Sequence, residues 1–177
     1  IKRLIKEENV KTILLIGVSL DIGMTELVLN ICRETAQDIT VFCVNQLTPQ
    51  FIKLQKRCGD NSTVKFYQLP QNYTNSFTID LENCISQIKL ENEIDCFDMV
   101  LMGASDMVSN IELSDRNFHK SKFFILEGIN NLQGYKEYQY LSSTSNYILE
   151  SQNPCLRNGY AIFKRIDRCS YFLNKSL

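Results

Sequence analysis

Short apolar runs that alternate with helical patterns are the feature that most constrains the fold of this 177-residue chain. The first, fourth and fifth runs are apolar at nearly every position, which is typical of strands covered on both faces. The predicted strands are Thr12–Ile16, Ile39–Val44, Val64–Tyr67, Phe97–Met102 and Phe123–Leu126. Strands that alternate with helices are joined by right-handed crossovers. The sequence therefore predicts an α/β fold with a doubly wound, mostly parallel sheet and helices on both faces.

Helices are predicted between these strands. Apolar side chains recur at helical spacing from Met24 to Thr35, so one stripe would pack against the sheet. A second helix starts at Thr48-Pro49, because Thr is a favoured N-cap and Pro suits the first helical position. A third is predicted from the apolar spacing between Phe77 and Ile88. A fourth, over residues 135–141, carries tyrosine rings on more than one face, and we interpret them as packing and surface residues.

The C-terminal part departs from this alternation. Tyr147–Glu150 and Tyr160–Lys164 are predicted as two strands with no helix between them. Asn158-Gly159 supplies the turn, since both residue types tolerate positive φ. The parallel sheet is thus expected to end in an antiparallel hairpin. With no repeat and no linker composition, residues 1–177 are expected to form a single domain, cut from a longer protein.

Charge and cysteine usage restrict the class of protein. The net charge of −1 argues against a dedicated binder of nucleic acid or anionic membranes. No apolar run approaches the roughly 20 residues that a membrane span needs, and the first residues lack the apolar region of a signal peptide. The seven cysteines are scattered without a C-x-x-C pair, so we predict reduced core thiols in a cytoplasmic protein.

The order of these elements resembles that of the class I S-adenosylmethionine-dependent methyltransferases, whose sheet ends in a reversed hairpin. The likeness extends over residues 2–166. KTILLIGVSLDIGMT, residues 11–25, is similar to the family's first strand and glycine-rich loop, and FDMVLMGASD, residues 97–106, to its fourth strand and the following turn. KFFILEGINN, YKEYQYL and PCLRNGYAIFKR are similar to the ends of small methyltransferases found beside glycan-modifying enzymes. The resemblance implies a Rossmann-like methyltransferase fold, S-adenosylmethionine as cofactor, and a small-molecule or glycan acceptor.

The resemblance also implies where the cofactor would bind. A ligand of a doubly wound sheet lies outside the carboxyl ends of its strands, where Gly17 would let the backbone approach the methionine part closely. Asn45, at the end of the second strand, would accept a hydrogen bond from a ribose hydroxyl. The predicted cofactor-binding residues are Gly17, Val18, Ser19, Asp21, Gly23, Asn45, Gln46, Gly103, Ala104 and Ser105. The candidate catalytic residues are Asp106 and Glu127.

Acidic residues are missing at several positions where the family carries them. Leu15 precedes the first glycine by two, Asn45 ends the second strand, Gly103 follows the fourth, and Gly128 follows Glu127. A hydrogen bond to a charged group contributes about 1.5–3 kcal/mol. The loss of several such bonds would weaken cofactor binding strongly, so two hypotheses stay open. One is a methyltransferase domain, and the other is a degenerate, non-catalytic Rossmann domain with an interaction or structural role in a glycan-biosynthesis protein. A dinucleotide-binding domain is a third hypothesis, but GVSLDIG matches G-x-G-x-x-G poorly.

The remaining polar candidates are weighed by their place in the pattern. His119, the only histidine, lies in a polar stretch before the fifth strand and is interpreted as a surface residue. Asp106 and Glu127 could share a divalent cation, but two carboxylates fall short of a full ligand shell, so no metal site is predicted. Asp21 is expected to cap the first crossover helix or to meet the amine of the cofactor.

Overall fold

The computed structural model describes residues 1–17, 23–35, 38–46, 48–58, 63–69, 77–103, 118, 120–156 and 158–166. The helices are α1 (Lys2–Glu7), α2 (Gly23–Thr35), α3 (Pro49–Cys58), α4 (Phe77–Glu91) and α5 (Leu132–Ser143). The strands are β1 (Thr12–Ile16), β2 (Thr40–Gln46), β3 (Val64–Leu69), β4 (Met99–Met102), β5 (Phe123–Glu127), β6 (Tyr147–Asn153) and β7 (Tyr160–Arg165).

All of these strands belong to one sheet, in the order β3-β2-β1-β4-β5-β7-β6. Strands β1 to β5 run parallel to one another, whereas β7 is antiparallel to both β5 and β6. The chain builds outwards from β1 to β3 and then returns to place β4 on the other side of β1. The topological switch point therefore lies between β1 and β4. The predicted doubly wound, mostly parallel sheet with a C-terminal antiparallel hairpin is confirmed.

Helices cover both faces of the sheet. On one face, which we call the α1–α3 face, side chains such as Ile5, Val28 and Phe51 join the strands in one apolar cluster. On the other, the α4–α5 face, Ile85 and Leu141 pack with the alternate strand residues. Successive residues of a strand point to opposite faces, so each buried strand contributes to both clusters. This double burial explains the continuous apolar runs in the sequence.

Local chemistry fixes several element ends. The N–H of Phe51 donates to Thr48 Oγ1 at 3.1 Å, which confirms the predicted cap of α3. Asn158 and Gly159 have φ of 61° and 88°, as the predicted hairpin turn requires. The predicted start of β4 at Phe97 is wrong by two residues. The Asp98 carboxylate accepts the N–H groups of Lys11 and Thr12, so the ladder to β1 begins only at Met99.

Three strands extend two or more residues beyond the ends that their apolar patterns indicate. Strand β2 reaches Gln46, β3 reaches Leu69 and β6 reaches Asn153. The added residues are polar in β6, where the backbone pairs with β7 beyond an irregularity between Leu149 and Ser151. Backbone pairing needs no apolar side chain, so periodicity could not find these ends.

The six described cysteines are free. Cys43 and Cys58 are buried, and burial raises the pKa of Cys32 and of Cys84 to about 11, so these thiols stay protonated. Cys155 is exposed in the loop before β7, so the prediction of core thiols is wrong there. Among the described helices, none combines the length and apolar character that crossing a membrane demands.

Candidate functional site

Four strand ends lie side by side at the carboxyl edge of the parallel sheet. The last aligned residues of β2, β1, β4 and β5 are Val44, Ile16, Met102 and Leu126. One residue further along the chain from each of these lies a residue of the predicted site. The structure thus brings together four residues that the sequence predicted, and we call them the carboxyl-edge row: Asn45, Gly17, Gly103 and Glu127.

The centre of the row is a close contact between two glycines at the switch point. Gly17 has φ of 72°, a backbone conformation that residues other than glycine rarely adopt. The N–H of Gly17 donates to the Val44 carbonyl at 3.1 Å, and the N–H of Gly103 to the Ile16 carbonyl at 2.9 Å. A Cβ atom on Gly103 would lie 2.3 Å from the Gly17 carbonyl oxygen. The backbone of β1 therefore fills the space that an acidic side chain at position 103 would need.

The missing acid of β1 has a similar explanation. Leu15 is 3% exposed and packs in the apolar cluster of the α1–α3 face. An ionised carboxylate there would lose its hydration without a compensating partner, which is costly. The leucine is thus a core residue of this chain.

The end of β2 carries two amide side chains with different surroundings. Asn45 is 2% exposed, and its Oδ1 accepts the N–H of Gln46 at 2.8 Å. Gln46 is the last residue of β2, points to the opposite face by strand alternation, and is only half-buried. Asn45 therefore holds the strand end, while Gln46 has the more accessible amide.

The end of β5 is clamped between α5 and the hairpin. Glu127 is 7% exposed, and the following Gly128 has φ of 73°. The N–H of Gly128 donates to the Gly159 carbonyl at 2.7 Å. A Cβ on Gly134 of α5 would lie 2.5 Å from the Gly128 carbonyl oxygen, so helix and loop are in direct backbone contact. This packing fixes the backbone at the end of β5, directly after Glu127.

A cavity of about 540 Å³ lies on the α1–α3 face, beside Glu127. One wall is a single face of α2 that includes Leu27 and Ile31, and the opposite wall is the sheet. The sheet contributes Glu127 and Tyr160, which are directly paired across β5 and β7, together with Ile162. The end of the cavity that Glu127 lines therefore reaches the carboxyl-edge row.

Several predicted site residues lie outside the described residues: Val18, Ser19, Asp21, Ala104, Ser105 and Asp106. His119, which the sequence analysis interprets as a surface residue, lies outside them as well. Gly23 is described and is the first residue of α2, and its contact with the cofactor stays a prediction. The catalytic role of Asp106 and Glu127 stays a prediction. In the part of the chain that the structure describes, no three His, Cys, Asp or Glu side chains are grouped to hold a metal ion.

Sequence reasoning missed two features. The cavity was not predicted, although Leu27 and Ile31 share the helical spacing that could have marked one wall. The second feature is Glu137 of α5, which is 4% exposed and has no hydrogen-bond partner for Oε2 among the described residues. Burial raises the pKa of the Glu137 carboxyl above its ordinary value. Nothing in the sequence pattern distinguishes this glutamate from an exposed one.

Comparison with known proteins gives structural neighbours but no sequence relatives. No protein-family model matches the chain, and no curated protein matches it. The S-adenosylhomocysteine-bound methyltransferase PaMTH1 of Podospora anserina superposes with a TM-score of 0.55 at 13% identity, over 94% of this chain and 76% of that one. TrmK of M. capricolum, in complex with S-adenosylhomocysteine, gives a TM-score of 0.53 at 13% identity. That match covers 89% of this chain and 62% of TrmK.

A third neighbour is the precorrin-6y C5,15-methyltransferase of Geobacter metallireducens, with a TM-score of 0.53 at 12% identity over 91% of this chain and 85% of that one. At such identities the likeness establishes the fold. The chain has the Rossmann-like fold of the class I S-adenosylmethionine-dependent methyltransferases, as the sequence predicted.

Proposed function

We propose that this chain is a cytoplasmic S-adenosylmethionine-dependent methyltransferase domain that acts on a small-molecule or glycan acceptor. The observation that carries the proposal is the glycine pair of the carboxyl-edge row. Gly17 and Gly103 meet at the switch point of the sheet, where folds of this kind bind their ligands. The free cysteines support the cytoplasmic location, since such thiols persist in reducing compartments.

The residues present fit a nucleoside-based methyl donor. The Gly17 backbone leaves room for the methionine part, and Gln46 offers an amide oxygen to a ribose hydroxyl while Asn45 holds the strand end. S-Adenosylmethionine would supply an electrophilic methyl group on a sulfonium. Two structural neighbours are complexes with S-adenosylhomocysteine, and a third is named for precorrin-6y, a small-molecule acceptor. We propose the remaining cofactor contacts for the other residues that the resemblance implies: Val18, Ser19, Asp21, Gly23, Ala104 and Ser105.

The non-catalytic alternative is favoured by the same positions that lack an acid. Leu15 is a core residue, and the Asn45 oxygen already accepts a backbone N–H. These contacts are compatible with a domain in which residues at the family's cofactor-binding positions pack in the core or hydrogen-bond to the backbone instead. A dinucleotide-binding domain fits less well, because the reversed β7 between β5 and β6 departs from the parallel order of that fold.

Calorimetric titration with S-adenosylhomocysteine distinguishes these functions. We expect saturable heat at micromolar ligand, and no heat with NAD as the matched nucleotide control. Absence of heat at high-micromolar S-adenosylhomocysteine from a folded protein would rule out the proposed function. Heat with NAD alone would instead support the dinucleotide-binding alternative.

A further inference from the structure

The cavity on the α1–α3 face has the dimensions of a small-molecule site. Its volume of about 540 Å³ lies within the roughly 300–1,000 Å³ of ligand pockets. The wall on α2 extends from Leu27 to Glu34, which corresponds to about 10 Å at the helical rise of about 1.5 Å per residue. A cavity of this length suits a molecule the size of a bicyclic ring system.

The surface that the cavity offers to a ligand is largely apolar. Ile125 and Ile162 are directly paired across β5 and β7 and are buried, so they form its floor. Ile31, which is 6% exposed, lines the wall on α2. The rim carries Leu27 and Leu156, which are 45% and 52% exposed. A ligand in the cavity would therefore remove from water apolar side chains that the fold itself leaves exposed, which stabilises the complex.

The charged and amide side chains of the described lining already interact with the protein itself. Lys2 Nζ and Glu34 Oε2 form an ion pair at 2.7 Å. Asn30 Oδ1 accepts a hydrogen bond from Arg33 at 3.2 Å, and Glu127 also has an interaction partner within the chain. A charged ligand would lose its hydration among the apolar walls or would break one of these interactions, and either is costly. The lining therefore favours an uncharged ligand.

The same lining disfavours sugars. A hydroxyl group that loses its hydration without gaining a hydrogen bond costs free energy, and a sugar carries a hydroxyl group on most of its carbon atoms. Besides the engaged side chains, the described lining offers the phenol of Tyr160, which combines a single hydroxyl group with an aromatic ring. An aromatic ring packs well against another ring. A ring compound with few polar groups thus matches this lining better than a glycan does.

We propose that this cavity is a binding site for an uncharged, apolar molecule the size of a bicyclic ring system. The affinity comes from the apolar floor and rim, and the engaged polar side chains disfavour ionic ligands. The end of the cavity that Glu127 lines lies beside the carboxyl-edge row, but no predicted cofactor-binding residue is among the described lining residues. The site therefore goes beyond the proposed methyl transfer and does not depend on it.

Indole probes test the ligand class directly, because the chain contains no tryptophan that would contribute to their fluorescence. 3-Methylindole, tryptamine and indole-3-propionate share one ring system and are uncharged, cationic and anionic at neutral pH. We expect 3-methylindole to gain fluorescence anisotropy on binding and to bind at least about tenfold more tightly than either charged probe. A large excess of glucose should not displace it. The proposal is overturned if a charged probe binds as tightly, if glucose displaces 3-methylindole, or if 3-methylindole does not bind up to its solubility limit.

A matched pair of leucine variants tests the location. Leu27→Gln replaces an exposed rim side chain of α2 with a polar one of similar size, and Leu90→Gln makes the same change at an 82%-exposed position of α4. Both side chains are exposed, so both variants should fold. We expect only Leu27→Gln to weaken 3-methylindole binding, by about fivefold. An equal effect of both variants, or no effect of either, would contradict the assignment to this cavity.

Titrations at several protein concentrations separate a small-molecule site from a contact between copies of the chain. A second copy seated on the apolar rim would compete with the probe. We expect the Kd of 3-methylindole to be independent of protein concentration, and sedimentation to give the same oligomeric state with and without the probe. A Kd that rises with protein concentration, together with an oligomer that dissociates when the probe is added, would assign the rim to a protein–protein contact and overturn the small-molecule site.

Discussion

The two edges of the sheet are built from different chemistry. At the amino edge, ionised side chains connect the elements: Asp98 Oδ2 accepts the N–H groups of Lys11 and Thr12 at 2.8 and 2.9 Å. At the carboxyl edge, glycines bring backbone into contact with backbone, as Gly17 and Gly103 do. Charged side chains thus connect the strands at the amino edge, whereas direct contacts between backbone atoms do so at the carboxyl edge. In doubly wound sheets, ligands bind outside the second of these edges.

This contrast predicts that the two edges respond differently to substitution. Changes at the amino edge should alter the free energy of unfolding and leave ligand affinity unchanged. Changes at the carboxyl edge should alter ligand affinity, with or without a loss of stability. The following predictions test that separation, from the largest expected effect to the smallest.

The largest effect is expected from Gly103→Ala. The new Cβ would lie 2.3 Å from the Gly17 carbonyl oxygen, so the end of β1 must move. Overpacking of this kind costs about 1–3 kcal/mol, and we expect the upper end of that range because the opposing atom is backbone. Chemical denaturation measures the stability, and calorimetry should show S-adenosylhomocysteine affinity reduced by tenfold or more. Gly103→Asp introduces the acid that the resembling family carries at this position, and we expect it to bind S-adenosylhomocysteine no more tightly than Gly103→Ala does. Tighter binding by Gly103→Asp than by the wild type would contradict the packing explanation.

A smaller effect, on stability alone, is expected from Asp98→Ala at the amino edge. The substitution removes the acceptor of the Lys11 and Thr12 N–H groups and of the Thr12 hydroxyl. Hydrogen bonds to charged groups contribute about 1.5–3 kcal/mol, so a loss of about 2 kcal/mol should lower Tm by about 4–8 °C. Calorimetry below that Tm should give the wild-type affinity for S-adenosylhomocysteine. A changed affinity would show that the two edges are coupled.

The end of β2 sharpens the comparison within the carboxyl edge. Gln46→Glu places a charged acceptor on the half-buried side chain, and we expect S-adenosylhomocysteine to bind about tenfold more tightly. Asn45→Asp places the same charge on a side chain that is 2% exposed, so we expect lower Tm without tighter binding. Calorimetry and thermal melts of both variants decide the assignment. Tighter binding only in Asn45→Asp would return the ribose contact to Asn45, as the sequence alone predicted.

The sequence predicted the fold well because a strand that is buried on both faces needs apolar residues at successive positions. Val41 and Phe42 point to opposite clusters, and both must be apolar. The site was predicted less completely, because its key relations are contacts between backbones. The sequence shows glycines at positions 17 and 103, but it does not show that the carbonyl oxygen of Gly17 excludes a Cβ atom on residue 103. The cavity was missed because its walls come from elements far apart in the chain.

The smallest effect is expected at Glu8, which accepts hydrogen bonds from Lys164 and Lys122 at 2.7 and 3.0 Å. These two ammonium groups hold the pKa of the Glu8 carboxyl below its ordinary value of 4.5. The folded state therefore binds this proton less tightly than the unfolded state does. The resulting stabilisation is present above pH 4.5 and is lost as the pH falls through the lowered pKa.

Glu8→Gln should accordingly reduce the free energy of unfolding by no more than about 1 kcal/mol at neutral pH, because the three side chains are partly exposed. The difference from the wild type should shrink in high salt, which screens the pair, and disappear well below pH 4.5. Urea denaturation of both proteins at neutral and acidic pH measures it. The Lys122 Nζ also donates to the Glu8 carbonyl at 2.8 Å, and this contact remains in the variant, so the end of α1 should stay in place. A difference that grows on acidification, or any change in S-adenosylhomocysteine affinity, would contradict a purely stabilising role for the charges of the amino edge.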